Sequence, residues 1–300
     1  GLLIKLTDSD WYSIDGSTGA AAAASWAFQG TVSGYSSGGR DPSISPTSIN
    51  TVDKFSFSSD GNAADVGDLT QGRYAPGGQS SNVSGYTSGG NSTGNSNVID
   101  KFPFATDGNA IDVSDLTVGR GYAGGQSSDV SGYSSGGNVP IPTTYNTIDK
   151  FPFATNFNAT DVGDLTGLRY WLSSQSSAVS GYTAGGYDKT DETHKNIIDK
   201  FSFATDGNAT DIGDLVTTRS AVAGQSSAES GYASGGWEAS VGPVNTIEKF
   251  PFATDTNATD VGDLTLIRRF GAGQSSTGFG YTSGGVQPGT PWNATTIDKF

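Results

Sequence analysis

The sequence predicts an all-β protein built from six copies of one four-stranded unit. Three observations predict it: sequence markers recur at a fixed spacing, short strand-like segments alternate with Gly-rich and turn residues, and no helical periodicity lasts three turns. Ile-Asp-Lys-Phe, or a close variant, ends at Phe55, Phe102, Phe151, Phe201, Phe250 and Phe300, so successive copies lie 47, 49, 50, 49 and 50 residues apart. Gly-Tyr-x-x-Gly-Gly places its Tyr at Tyr35, Tyr86, Tyr133, Tyr182, Tyr232 and Tyr281. Asp-Leu recurs at Asp68, Asp115, Asp164, Asp214 and Asp263, and Gln-Ser-Ser begins at Gln79, Gln126, Gln175, Gln225 and Gln274. A fixed period of this length means an array of supersecondary units that bury their apolar faces on one another.

Within a unit the elements follow in order. Around Gly125, Gly-Gln-Ser-Ser reads as a first short strand. Ser-Gly-Tyr-Ser-Ser, from Ser131, is the second, stopped by Gly136 and Gly137. Ile148 to Phe153 is the third and Thr160 to Leu165 the fourth. Thr-Asp-Gly-Asn-Ala, as at residues 106–110, is turn chemistry, because Gly and Asn accept positive φ and Asp closes an Asx turn. Phe102 and Phe104 are two residues apart and share one strand face. Pro103 between them has no N–H, which predicts an edge or a bulge. The units run roughly over 25–72, 73–119, 120–168, 169–218, 219–267 and 268–300. Six four-stranded units of this length fit a closed ring, a six-bladed β-propeller. The sixth unit stops at Phe300 before its fourth strand, and residues 1–7, which contain Leu-Leu-Ile-Lys-Leu-Thr, are expected to supply it.

Composition narrows the partners. The 300 residues include 44 Gly, no Cys and no Met, and carry a net charge of −14. That charge repels nucleic acid and anionic membranes. No apolar run is long enough to cross a bilayer, and the Ala run at residues 20–24 lacks the basic leader of a signal peptide. Gly1 in place of Met predicts a processed product or a piece of a longer polypeptide.

The order Arg, Gly-Tyr-x-x-Gly-Gly, an apolar strand and then Asp-Leu-Thr resembles the kelch-type propeller repeat. The resemblance covers roughly residues 25–300, with the repeat Arg at Arg73, Arg120, Arg169, Arg219 and Arg268. The Trp usual in the fourth kelch strand is absent; Val66, Val113, Val162, Ile212 and Val261 stand near its place. Asp-Lys-Phe-Pro-Phe-Ala-Thr-Asp-Gly-Asn-Ala-Thr-Asp-Val-Gly-Asp-Leu-Thr also resembles repeats in virion proteins of marine tailed phages, including cyanophages. The fold class expected is therefore all-β, a six-bladed kelch-like β-propeller of four-stranded blades.

Candidate chemistry is sparse. His194 is the one His, in the charged segment 188–195, and reads as a solvated loop residue. With no Cys and no second His, neither a thiolate metal site nor a Ser-His-Asp triad has its parts. Asp107, Asn109, Asp112 and Asp115 recur as a set and could hold Ca²⁺ through oxygen. The preferred reading is a hydrogen-bonded turn with an Asp paired to the repeat Arg, and no cofactor is expected. The repeat Arg, one per unit, reads as scaffold.

The copies disagree most after the double Gly and after Asp-Leu. In kelch propellers these two loop classes share one face. They carry Tyr145, Trp171, Tyr187, Trp237 and Trp292, the expected ligand-binding residues, on loops held by a rigid scaffold. Tyr187, Trp237 and Trp292 follow the double Gly in three adjacent units and are expected to form one patch, while the repeat Tyr residues are scaffold. The expected function is non-catalytic: a virion structural or tail-fibre-associated module, extracellular in the virion, that binds a host-surface glycan or protein or other virion proteins. A secreted or cell-surface bacterial adhesin or matrix propeller is the alternative, and a glycan-active enzyme the third.

Overall fold

The computed structural model describes residues 30–43, 45–139, 143–289 and 293–300, and the backbone of Leu3–Lys5 and Trp11–Ser13. The described residues form antiparallel β-sheets with no helix. Six of these sheets carry the repeat. The third is typical: Gly124–Ser127, Ser131–Ser135, Thr147–Pro152 and Thr160–Asp164 pair in chain order. The second, fourth and fifth sheets repeat this order with four strands each, beginning at Gly77–Ser80, Ser173–Ser176 and Ala223–Ser226.

The terminal sheets differ. The first contains Ser33–Arg40, Ser48–Ser56 and Ala64–Asp68; the sixth contains Ala272–Ser275, Gly280–Ser283 and Ile297–Lys299. Each has three strands among the described residues. Leu3–Lys5 pairs with Trp11–Ser13 and not with the sixth sheet. The rest of residues 1–7, expected to close the sixth sheet, lies outside the described residues.

Local chemistry explains the regularity. Gly132 lies opposite Phe151, and a Cβ there would stand 2.3 Å from the ring, so Gly makes room for Phe. Backbones of neighbouring units crowd in the first strands, where a Cβ on Gly125 would meet the Gly78 carbonyl at 2.3 Å. The double Gly has a different cause. Gly136 and Gly137 adopt φ of 65° and 100°, and the Gly137 N–H donates to the Arg169 carbonyl of the next unit at 2.9 Å. A β-bulge opposite Val162 recurs in five sheets between the Ile (or Val) and the acidic residue of the third strand. Pro103 ends its strand beyond Lys101, the last residue paired with the fourth strand, so its missing N–H costs no ladder bond there.

Successive sheets are joined by the same contacts. Each repeat Tyr lies on the Phe residues of the next sheet: Tyr86 stacks on Phe153 at 4.7 Å between centroids, Tyr133 on Phe203 at 4.8 Å and Tyr182 on Phe252 at 4.6 Å. Each repeat Gln donates to the next repeat Tyr carbonyl, as Gln126 does to Tyr182 at 3.1 Å. The sixth sheet meets the first in the same way. Tyr281 stacks on Phe57 at 4.8 Å, Gln274 donates to the Tyr35 carbonyl at 3.3 Å, and Lys299 pairs with Asp60 at 3.3 Å.

Candidate binding site at the aromatic loop face

Five buried ion pairs fix the loops that carry the site. Arg73 pairs with Asp100, Arg120 with Asp149, Arg169 with Asp199, Arg219 with Glu248 and Arg268 with Asp298. The partner is the acid of the third strand, not an Asp of the acidic turn as expected. Desolvation pushes the Arg73, Arg120 and Arg219 guanidiniums below their ordinary value, and the adjacent carboxylates oppose that shift. The Thr of Asp-Leu-Thr binds the same acid: Thr117 donates its amide at 3.0 Å and its hydroxyl at 2.7 Å to Asp149. Asp-Leu-Thr-x-x-Arg is thus one device that pins a loop to the next sheet.

The acidic turns also have a structural use. Asp107 pairs with Lys54 of the preceding sheet at 2.9 Å, and the Asn109 side chain accepts from the Asp68 amide at 3.0 Å. The equivalent bonds recur at Asp206, Asp255, Asn158, Asn208 and Asn257. Among the described residues no three His, Asp or Glu side chains gather into a metal-holding group.

Two residues beyond each repeat Arg, the chain turns left-handed. Ala75, Tyr122, Trp171, Ala221 and Phe270 have φ of 55° to 59°, an uncommon conformation for side chains of this size. Backbone bonds between units hold it: Tyr122 donates to the Ala75 carbonyl at 2.8 Å, Trp171 to Tyr122 at 3.2 Å, Ala221 to Trp171 at 2.6 Å and Phe270 to Ala221 at 2.9 Å. Tyr122, Trp171 and Phe270 then converge, with centroids 5.4 to 6.2 Å apart. Burial beside these rings and Tyr74 pushes the Tyr122 phenol up to about 12.

A second tier comes from the residue just after each Arg, which pairs with the residue after a double Gly. Tyr170 pairs with Tyr187, Ser220 with Trp237 and Arg269 with Val286. The two variable loop classes therefore meet. Ser220 and Ala221 are small where the units on either side have Tyr170, Trp171, Arg269 and Phe270, and a depression of about 250 Å³ opens there. It is lined by Tyr170, Trp171, Tyr187, Lys189, His194, Ser220, Ala221, Trp237, Arg269 and Phe270. A wider cavity of about 2150 Å³ runs along the first strands of the second to sixth sheets and the face of the first. Its walls there are mostly Gly, Ala and Ser, which offer little side-chain recognition.

Of the expected binding residues, Trp171, Tyr187 and Trp237 meet in the small depression. Tyr145 does not line it; its amide bonds to the Gly137 carbonyl at 2.8 Å. Trp292 lies outside the described residues. His194 is corrected from a solvated loop residue: it is half-buried, 3.0 Å from the Ser220 hydroxyl through Nδ1, and edge-on to Tyr187 at 5.0 Å. Sequence reasoning missed Phe270 and Arg269. Aligning the two positions after each repeat Arg exposes them, because bulk concentrates there in three of five copies. No family model matches the chain, and a search of curated proteins finds no match.

Proposed function

We propose that the six sheets close into a kelch-like β-propeller, and that the protein is a non-catalytic virion module whose aromatic loop face binds a host-surface glycan. The closed ring is supported by the stacking, amide and ion-pair contacts between the sixth and first sheets, which repeat those between internal neighbours. The virion setting is supported by the resemblance of the repeat wording to phage proteins.

The observation that carries the binding role is the depression in which Trp171, Tyr187, Trp237 and Phe270 meet. Half-buried aromatic rings give large contact area at low entropic cost and stack on the apolar faces of sugars. The left-handed Trp171 and Phe270 have the backbone strain that concentrates at functional sites. The lining holds no Asp or Glu, so it lacks the carboxylate pair that glycoside hydrolysis uses, which favours binding over turnover.

A glycan array followed by host-cell attachment tests this reading. Trp237→Ala is expected to keep the melting temperature and weaken attachment by about 2 kcal/mol or more, the scale of a hot spot. Unchanged attachment would remove the loop face from the mechanism. Retention on purified virion proteins with no array signal would assign the face to virion assembly.

A further inference from the structure

Arg269 differs from every repeat Arg. Five guanidiniums pair with buried carboxylates, but no carboxylate pairs with Arg269 among the described residues. Its Nε is buried without a hydrogen-bond partner, as is the Nε of each repeat Arg, but its guanidinium lies 4.4 Å over the Trp237 ring and 5.4 Å from Phe270 instead of against an acid. Desolvation alone pushes it below its ordinary value.

A guanidinium stacked by its face keeps its donors at the edge, in the plane that matches a carboxylate. The surroundings agree in sign. The chain has 30 acidic and 16 basic residues, yet this depression is lined by two cations, Arg269 and Lys189, by His194, neutral at pH 7, and by no acid. Lys189 is held by Glu192 at 2.8 Å and His194 by Ser220, so Arg269 is the unpaired cation of the group. The volume, about 250 Å³, is below the roughly 300–1,000 Å³ of pockets for drug-sized ligands. One sugar ring of a longer chain suits it better than an entire oligosaccharide.

We propose that this depression is a subsite for a carboxylate-bearing sugar, a hexuronate residue of an acidic polysaccharide. The inference rests on the glycan reading above. Arg269 takes the carboxylate through its edge, the Trp171, Tyr187 and Phe270 rings take the apolar face of the sugar, and the Trp237 ring holds the guanidinium flat. The overall negative charge of the protein then rejects polyanions that cannot place a carboxylate in this one site.

The test is calorimetric titration of the full chain with tetragalacturonate, its neutral methyl ester and a sulfated neutral tetrasaccharide. The acid is expected to bind at least about tenfold more tightly than the ester, as befits a charge-assisted hydrogen bond. Arg269→Gln is expected to erase that difference while the ester still binds. Equal affinity for acid and ester, or preference for the sulfated sugar, overturns the carboxylate subsite and leaves glycan binding standing. No binding of these sugars and no signal on a glycan array overturns both. Should Arg269→Gln fail to fold, the comparison of acid with ester on the parent protein decides.

Discussion

At Arg219 the buried ion pair departs from its four counterparts in two places at once. Thr70, Thr117, Thr166 and Thr265 each donate a hydroxyl to the acid of the next sheet, at 2.6 to 2.7 Å. In the remaining copy Val216 replaces Thr, and only its amide donates, at 2.8 Å. The same copy has Glu248 where the others have Asp. The longer side chain still reaches Arg219, at 3.0 Å, but one hydroxyl donor is missing, and burial pushes the Glu248 carboxyl up. Restoring both positions, Val216→Thr with Glu248→Asp, is expected to raise stability by about 1 kcal/mol, the net value of a buried hydrogen bond. Glu248→Asp alone is expected to lower it, because the shortened carboxylate gains no hydroxyl donor from Val216. A urea-denaturation double-mutant cycle measures the coupling, and simple additivity of the two changes would refute it.

The element that shapes the site is the hairpin formed by Tyr187–Asp188 and Thr193–His194. Its tip is tied by local bonds, since Asp188 accepts from the Thr190 amide at 2.7 Å and Lys195 pairs with Asp191. This carries His194 back against Ser220 and Tyr187. Burial pushes the His194 imidazole below its ordinary value of 6.5. The unfolded chain therefore takes up a proton below about pH 6.5 that the folded protein resists. Stability present above that pH is lost as the pH falls through the folded value. Melting temperatures at pH 7.5 and 5.5 are expected to fall more for the parent than for His194→Asn, which has no such titration. An identical fall in both would mean that the imidazole is as free to ionise in the folded protein as in the unfolded chain.

For the whole molecule the deciding question is whether the ends of the array meet. In an open stack the terminal interface is expendable, whereas in a closed ring it is equivalent to any other. Tyr281 and Tyr182 occupy matching interfaces and are 3% and 1% exposed. Tyr182→Ala is expected to cost about 3–5 kcal/mol, as large aromatic truncations in a core do. Tyr281→Ala is expected to cost a similar amount, because it uncouples the sixth sheet from Phe55 and Phe57 of the first. Chemical denaturation measures both. A mild effect at Tyr281 beside a large one at Tyr182 would mean an open array, and the proposed ring would fall.

What the sequence determined by itself was everything carried by periodic residue types. The strands around Gly125, Ser131, Ile148 and Thr160 lie where Gly pairs, β-branched residues and turn residues placed them, within a residue or so at each end. The scaffold roles of Tyr133, Phe151 and Arg120 followed from their recurrence in every interior copy. Tertiary structure alone decided how the non-recurring residues meet. Phe270 and Trp171 are 99 residues apart, and their shared place two residues after a repeat Arg does not show that their rings meet. They touch because each sits in a left-handed turn pinned to the unit before it, with Ala221 too small to fill the space between. The sequence also could not show that Arg269, one residue from the ion-paired Arg268, has no carboxylate partner among the described residues. Its isolation depends on which acids the neighbouring sheets turn inward, and that is settled only by packing.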